Sequence, residues 1–355
     1  MKSAYDLSPR PVNSIGQRLL DLLAIGRVAN LPTVWSNTLA GFLLAWTIDG
    51  QEMPFSAGLQ LLPFLLIGVT STYLFGTFLN DWKDVDFDNE HRPERAIPSG
   101  RWSRGMIGWM AAGFALGALA CFLSLGPRQP LVPILGAALL ATIVIYTALH
   151  KRTPFAIVPM GLCRSLLYLL GYFVVVVTPG SDSGLTPGRA ATSTLNLLQD
   201  NMLVILALMA LGIFTYVAGL TLAARYENRP GQLPFPKVFL WFLIFLSILT
   251  HTWWWIWQRP PFLEGWHLAI PALLCVLPFC AWTVRGLFVL KKSIPDFVSR
   301  ALAGLCLVDL LAFAGIAATI RTGWNTLDAS PLYLTLIPLS CFLFSLLLQR
   351  LAPAT

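Results

Sequence analysis

Apolar stretches of about 18 to 24 residues recur along this chain, each long enough to cross a hydrocarbon core of about 30 Å as a helix. They fall near residues 28–48, 59–79, 105–125, 131–149, 156–178, 202–223, 238–257, 267–290, 301–320 and 331–349. The pattern predicts an all-α integral membrane protein, a bundle of about nine or ten transmembrane helices. No fixed-period repeat divides it, so residues 1–355 read as one polytopic domain. Ahead of the first span, "SIGQRLLDLLAIGRVAN" has the periodicity of an amphipathic helix, which makes residues 1–27 a cytoplasmic interfacial segment rather than a cleavable signal.

Composition agrees, with 56% hydrophobic residues, 12% charged residues and a mean hydropathy of +0.68. The 24 basic residues supply the orientation: with the N-terminus inside, only Arg128, Arg189, Arg259 and Arg321 fall in loops on the far side. The net charge of +7 is then a topology signal, and nucleic acid is not an expected partner. The expected location is the cell inner membrane, with the N-terminus and the two main polar loops, 80–104 and 224–237, in the cytoplasm. The longest polar connection, "TPGSDSGLTPGRAATSTLNLLQDN" at 178–201, lies on the opposite side. Cys121, Cys163, Cys275, Cys280, Cys306 and Cys341 all sit in apolar segments without ligand spacing and read as packing residues.

Against this background, "FLNDWKDVDFDNEHRPERAIPSG" at 78–100 is anomalous, because six of the chain's 17 acidic residues lie between 81 and 94. At about 100° per residue, Asn80, Asp81, Asp84 and Asp88 share one helical face within an arc of roughly 100°, while Asp86 points away. Like charges gathered at a partly desolvated membrane edge are costly unless a cation compensates them. A divalent ion is the economical explanation. Magnesium prefers oxygen ligands and commonly bridges one or two carboxylates to substrate phosphates, so the cluster points to a diphosphate substrate. Arg92 and Arg95 follow with guanidinium forks suited to phosphate oxygens.

The same stretch resembles the first aspartate-rich motif of the UbiA superfamily of intramembrane prenyltransferases, NDxxDxxxD followed by arginines and a proline–glycine turn. The matching residues are Asn80, Asp81, Asp84, Asp88, Arg92, Arg95, Pro98, Ser99 and Gly100. "RVANLPTVWSNTLAG" at 27–41 is similar to the family's first helix, and "YTALHKRTP" at 146–154 to the basic loop after its fourth. The resemblance implies a UbiA-like bundle around a cavity open laterally to lipid, where a magnesium-bound polyprenyl diphosphate ionises and an acceptor captures the allylic cation. By the same carry-over, Asn80, Asp84 and Asp88 are metal ligands with Asp81 auxiliary, Asp84, Asp88, Arg92 and Arg95 are catalytic, and Arg92, Arg95 and Lys151 contact the diphosphate.

Two places depart from the family pattern. Where a second aspartate-rich motif is expected, "YVAGLTLAARYENRPG" offers Glu227 alone, and "MGLCRSLLYLLG" places Arg164 inside a span where the family leads one to expect asparagine. An unpaired arginine at that depth costs at least about 2.5 kcal/mol on insertion scales, so Arg164 is expected to face a polar cavity or a partner. Fixed charges on Arg164, Arg225 and Arg229 would then substitute for the second metal at the leaving diphosphate. "MGLCR" is also similar to the EboC-like branch of the superfamily. The alternatives are transfer of a sugar-phosphate or cyclitol-type group onto polyprenyl phosphate, and a non-catalytic isoprenoid-diphosphate carrier. Among the remaining conspicuous residues, "HTWWWIW" at 251–257 reads as an interfacial belt on the non-cytoplasmic side. Tyr73, Phe75, Phe78, Tyr146, Tyr168 and Tyr216 are candidates for an isoprenoid wall. Asp309 is a buried charge in need of a partner, and His91 is a solvated loop histidine.

Overall fold

A computed structural model describes residues 15–48, 55–127, 129–176, 201–226, 237–258, 269–319 and 332–351. The expectations for the 178–200 connection, for Glu227 and for Arg229 lie outside them, as do the side chains of the tryptophan run. The described residues form helices and short connecting turns, with no strand among them. A long helix stands at each expected span: α2 (Leu31–Ile48), α3 (Phe55–Lys83), α5 (Arg104–Leu125), α6 (Leu131–Leu149) and α7 (Ile157–Phe173), then α8 (Asn201–Ala224), α9 (Lys237–Gln258), α10 (Ala269–Leu290), α11 (Ile294–Thr319) and α12 (Leu332–Leu351). Two short helices, α1 (Ile15–Ile25) and α4 (Val85–His91), lie outside the bundle core. Six described segments qualify as membrane spans by length and hydropathy alone, and two shorter apolar ones, Phe239–Thr252 and Leu336–Arg350, join them.

Burial sorts these helices into an inner and an outer set. On α5 and α6, Trp109, Leu116 and Ile134 are exposed large apolar side chains, as expected where lipid is the solvent. By contrast α7 buries Arg164, Tyr168 and Tyr172 within one continuous core shared with α2, α8 and α11. The α2–α7 contact is the tightest of these. A Cβ on Gly41 would strike the Tyr168 backbone, and one on Gly171 would strike the carbonyl of Thr38. Glycine at both places lets the two backbones touch, which is how helices gain packing energy where no hydrophobic effect separates lipid from protein.

At 29 residues α3 is about 43 Å long, more than a hydrocarbon core of about 30 Å requires. Its C-terminal turns carry Asn80 and Asp81. Asp84 breaks the helix with φ −83° and ψ 2°, yet the bonds Asp84 N–H to Asn80 O (2.9 Å) and Asp88 N–H to Asp84 O (2.9 Å) carry the helical path on into α4. Asp84 and Asp88 are accordingly both buried, while the Asp86 side chain is 84% exposed. The single helix expected across the motif is thus two helices that keep one shared face. Arg92 closes α4 at φ −145° and ψ 57°, outside the helical region that the following Pro93 disfavours. Gly100, at φ +76°, turns the chain back toward α5, and Ser103 caps that helix by accepting from the Met106 N–H.

Helix α1 exposes Ile15, Leu19 and Leu20 on one side and buries Asp21 and Ile25 on the other. Asp21 is held by both ends of the Arg101 guanidinium at 2.8 and 3.0 Å, which ties α1 to the turn after α4.

Candidate active site

Between α2, α3, α6, α7, α8 and α11 lies a cavity of about 290 Å³. Its walls are mostly aliphatic: Val34 and Val69, Leu139 and Ile143, Met160 and Leu167, Val217 and Leu220, and Val298, Leu302 and Leu305. At the end nearest the acidic motif the lining changes to Thr77, Asn80, Arg27, Arg92 and Arg95. An apolar chamber with a polar, cationic mouth suits an amphipathic ligand whose head is anionic.

The acids of the motif are individually paired. Lys151 Nζ stands 2.9 Å from Asp84 Oδ1 and His150 Nε2 3.4 Å from Asp84 Oδ2, while Arg95 donates to Asp88 Oδ2 at 2.9 Å. Asp81 lies 3.5 Å from Arg27 and 3.7 Å from Arg95, too far for a hydrogen bond, and its buried Oδ1 has no hydrogen-bond partner. Lys151 also lies over the Phe87 ring at 3.9 Å. No three His, Cys, Asp or Glu side chains among the described residues converge on one point. The donor chemistry nonetheless fits a hard cation: Asp81, Asp84 and Asp88 offer carboxylate oxygens on this face, Asn80, whose amide nitrogen donates to Asp84 Oδ2 at 3.4 Å, adds a carbonyl oxygen, and one Asp81 oxygen is waiting for a partner.

Burial would raise the Asp84 carboxyl, but the hydrogen bonds and charges of His150 and Lys151 outweigh it and hold the group below its usual value of 3.8. A depressed carboxylate stabilises the fold above its unfolded value and loses that contribution as pH falls through the folded one. In magnesium-free buffer the melting temperature is therefore expected to hold from pH 7 to 5 and to drop below about pH 4. Asp84→Asn should flatten that acid limb.

The structure distributes the remaining expected residues unevenly. Arg164 does line the cavity, and its Nη1 donates to Asn37 Oδ1 at 2.9 Å. Arg225 is not part of the lining; its Nη1 donates to the carbonyls of Thr153 (2.6 Å) and His150 (3.5 Å), bracing the loop that carries Lys151. Of the aromatic candidates, Tyr73 and Tyr146 line the cavity, Phe75 and Phe78 pack in a small core with Ile25 of α1 and Ile107 and Ala111 of α5, and Tyr168 and Tyr216 are fully buried behind the wall. His91 is an exposed side chain stacked on Phe87.

Sequence reasoning missed the parts played by Arg27 and His150, and flagged Asp309 only as a buried charge in need of a partner. Arg27 reaches the mouth from a left-handed backbone conformation (φ 43°, ψ 47°), a strained state secured by Asp81 and by the Tyr73 hydroxyl donating to its carbonyl at 3.0 Å. His150 had been read only as part of a basic loop. Asp309 proves to be bound on every side: its Oδ1 accepts from Asn37 (2.8 Å) and Tyr168 (2.5 Å), and its Oδ2 from Ser36 (2.5 Å) and Asn37 (2.9 Å).

Fold and site together define an all-helical integral membrane protein with a lipid-sized chamber whose polar mouth bears an acid–base cluster. The chain belongs to the UbiA prenyltransferase family, whose model matches residues 34–302. Among solved structures it is similar to a digeranylgeranylglyceryl phosphate synthase, at 16% identity and a TM-score of 0.54, over 86% of this chain and 99% of that one. It is also similar to an apo UbiA homolog from Aeropyrum pernix K1, at 14% identity and a TM-score of 0.47, over 90% of this chain and 98% of that one. A search of curated proteins finds no match.

Proposed function

We propose that the protein transfers a prenyl group from a polyprenyl diphosphate to an aromatic or lipid acceptor within the membrane, with magnesium at the motif. The observation that carries this reading is the cavity itself, aliphatic along its length and lined by Asn80, Arg92 and Arg95 at one end. An isoprenoid tail suits the walls and a diphosphate suits the mouth. In this reading Asn80, Asp81, Asp84 and Asp88 hold the cation, which when bound neutralises charge on the leaving diphosphate as a Lewis acid.

The chain's own residues do the remaining work. Arg95, Lys151 and His150 pair with the acids in this structure, and their N–H groups would suit the diphosphate oxygens once those carboxylates held a cation. Arg92 and Arg27 add cationic lining at the mouth, and Arg225 braces the Lys151 loop. The aliphatic wall excludes water from the allylic cation, and Tyr73 and Tyr146 present ring faces for it. The N-terminus and this mouth face the cytoplasm of a cell whose inner membrane holds the protein.

The test is diphosphate release by purified protein in nanodiscs with magnesium and geranylgeranyl diphosphate, against a panel of aromatic and lipid acceptors. Magnesium-dependent release is expected. Binding without release would overturn the prenyl-donor assignment in favour of a sugar-diphosphate donor acting on polyprenyl phosphate, or of a carrier.

A further inference from the structure

The cavity wall descends from the mouth along three helices that all run away from it, through Val34 on α2, Arg164 on α7 and Leu305 on α11. About one turn further along each helix stand Asn37, Tyr168 and Asp309, none of them part of the lining. These three side chains form a polar floor behind a mostly aliphatic chamber, and among the described residues Arg164 links that floor to the open space.

The hydrogen-bond directions are determined by chemistry. A guanidinium only donates, so Asn37 must turn its amide oxygen to Arg164 and its nitrogen to Asp309, at 2.8 and 2.9 Å. Asp309, fully buried and outside the stretch matched by the family model, thereby serves as a counter-charge one residue removed from the guanidinium. A direct ion pair would occupy two of the arginine's five donors. The intervening amide takes one bond instead, and Arg164 keeps N–H groups for whatever enters the chamber.

We infer that Arg164, held by the Asn37–Asp309 relay, is an anion subsite at the floor of the cavity, separate from the diphosphate mouth, and that it takes a carboxylate or phosphate group on the acceptor. This assignment rests on the prenyl-transfer reading for the word acceptor, but the subsite can be tested without turnover. Seven residues past the start of α7, Arg164 lies about 10 Å deeper than the loop bearing Lys151 and the motif it pairs with. A substrate anchored there by its anion presents its other end toward the mouth, where the donor's reactive carbon would lie.

The experiment is equilibrium dialysis of the protein in nanodiscs against 2-naphthoate, 2-naphthyl phosphate and 2-naphthylmethanol, with empty nanodiscs subtracted, with and without saturating magnesium and inorganic pyrophosphate. At least one anion should bind about tenfold tighter than the alcohol, the scale of a charge-assisted hydrogen bond, and should survive pyrophosphate. Which anion wins distinguishes carboxylate from phosphate. Arg164→Met should abolish the preference and Arg164→Lys should restore part of it. Equal binding of anions and alcohol, complete displacement by pyrophosphate, or an Arg164→Met protein that keeps the preference would each overturn the subsite. Should Arg164→Met fail to fold, the wild-type comparison with pyrophosphate still decides. Diphosphate release is measured separately, so a protein that turns over without an anion preference refutes the subsite alone, and one that shows the preference without release refutes only the prenyl-transfer reading.

Discussion

Asp84→Asn and Asp88→Asn are each expected to lower magnesium-dependent diphosphate release by about 10²-fold or more, the usual cost of removing a group that stabilises developing charge. The expectation comes from the geometry of the α3–α4 break. Both side chains are buried on the same face, and both are at present neutralised by bases that suit phosphate equally well, Lys151 on one and Arg95 on the other. Replacing either carboxylate by an amide removes a metal ligand and also releases its base prematurely, so donor binding and turnover should fall together. Asp86→Asn is the matched control, because that side chain is 84% exposed and turned away. Its effect should be within about twofold, as for other surface changes away from special features. Unchanged release in Asp84→Asn and Asp88→Asn would remove the motif from the mechanism.

Asp309→Leu is expected to be the most destabilising of the changes considered, by about 3 to 5 kcal/mol, the cost of removing one partner from a buried charged network. The carboxylate accepts from Ser36, Asn37 and Tyr168, all buried, and its loss strands those donors and leaves Arg164 without a counter-charge inside the bundle. Thermal unfolding in detergent, followed by loss of the monodisperse peak, would register this as a clear fall in midpoint. Asp309→Asn retains the shape and some of the hydrogen bonds, so it should fall between Leu and the native residue. Equal midpoints for native, Asn and Leu would show that the relay carries no stability.

Much of this was legible in the chain. Each predicted span corresponds to a helix, because a run of apolar side chains with its backbone polar groups satisfied internally has no other stable form in lipid. The motif's chemistry was equally legible, since eight residues of helix suffice to put Asp81, Asp84 and Asp88 near one face, and Asp86 away from it, whatever surrounds them. The unusual depth of Arg164 also announced a partner. Its identity did not follow, because that partner is Asn37, 127 residues away, and Asn37 in turn meets Asp309 across 272 residues.

Local rules therefore determined where the chain crosses the membrane, which face bears the acids, and that Arg164 and Asp309 each need compensation. Only the packed bundle decided which groups supply it. Close approach of α2 and α7 at Gly41 and Gly171 brings Asn37 between the two buried charges. The C-terminal end of α3 likewise brings Asp84 to Lys151, while Arg225 turns to the backbone of the Lys151 loop. Helix periodicity acts over a few residues and can be read from sequence. Which charges meet depends on how the long helices settle against one another, and that is decided by the contacts of the whole.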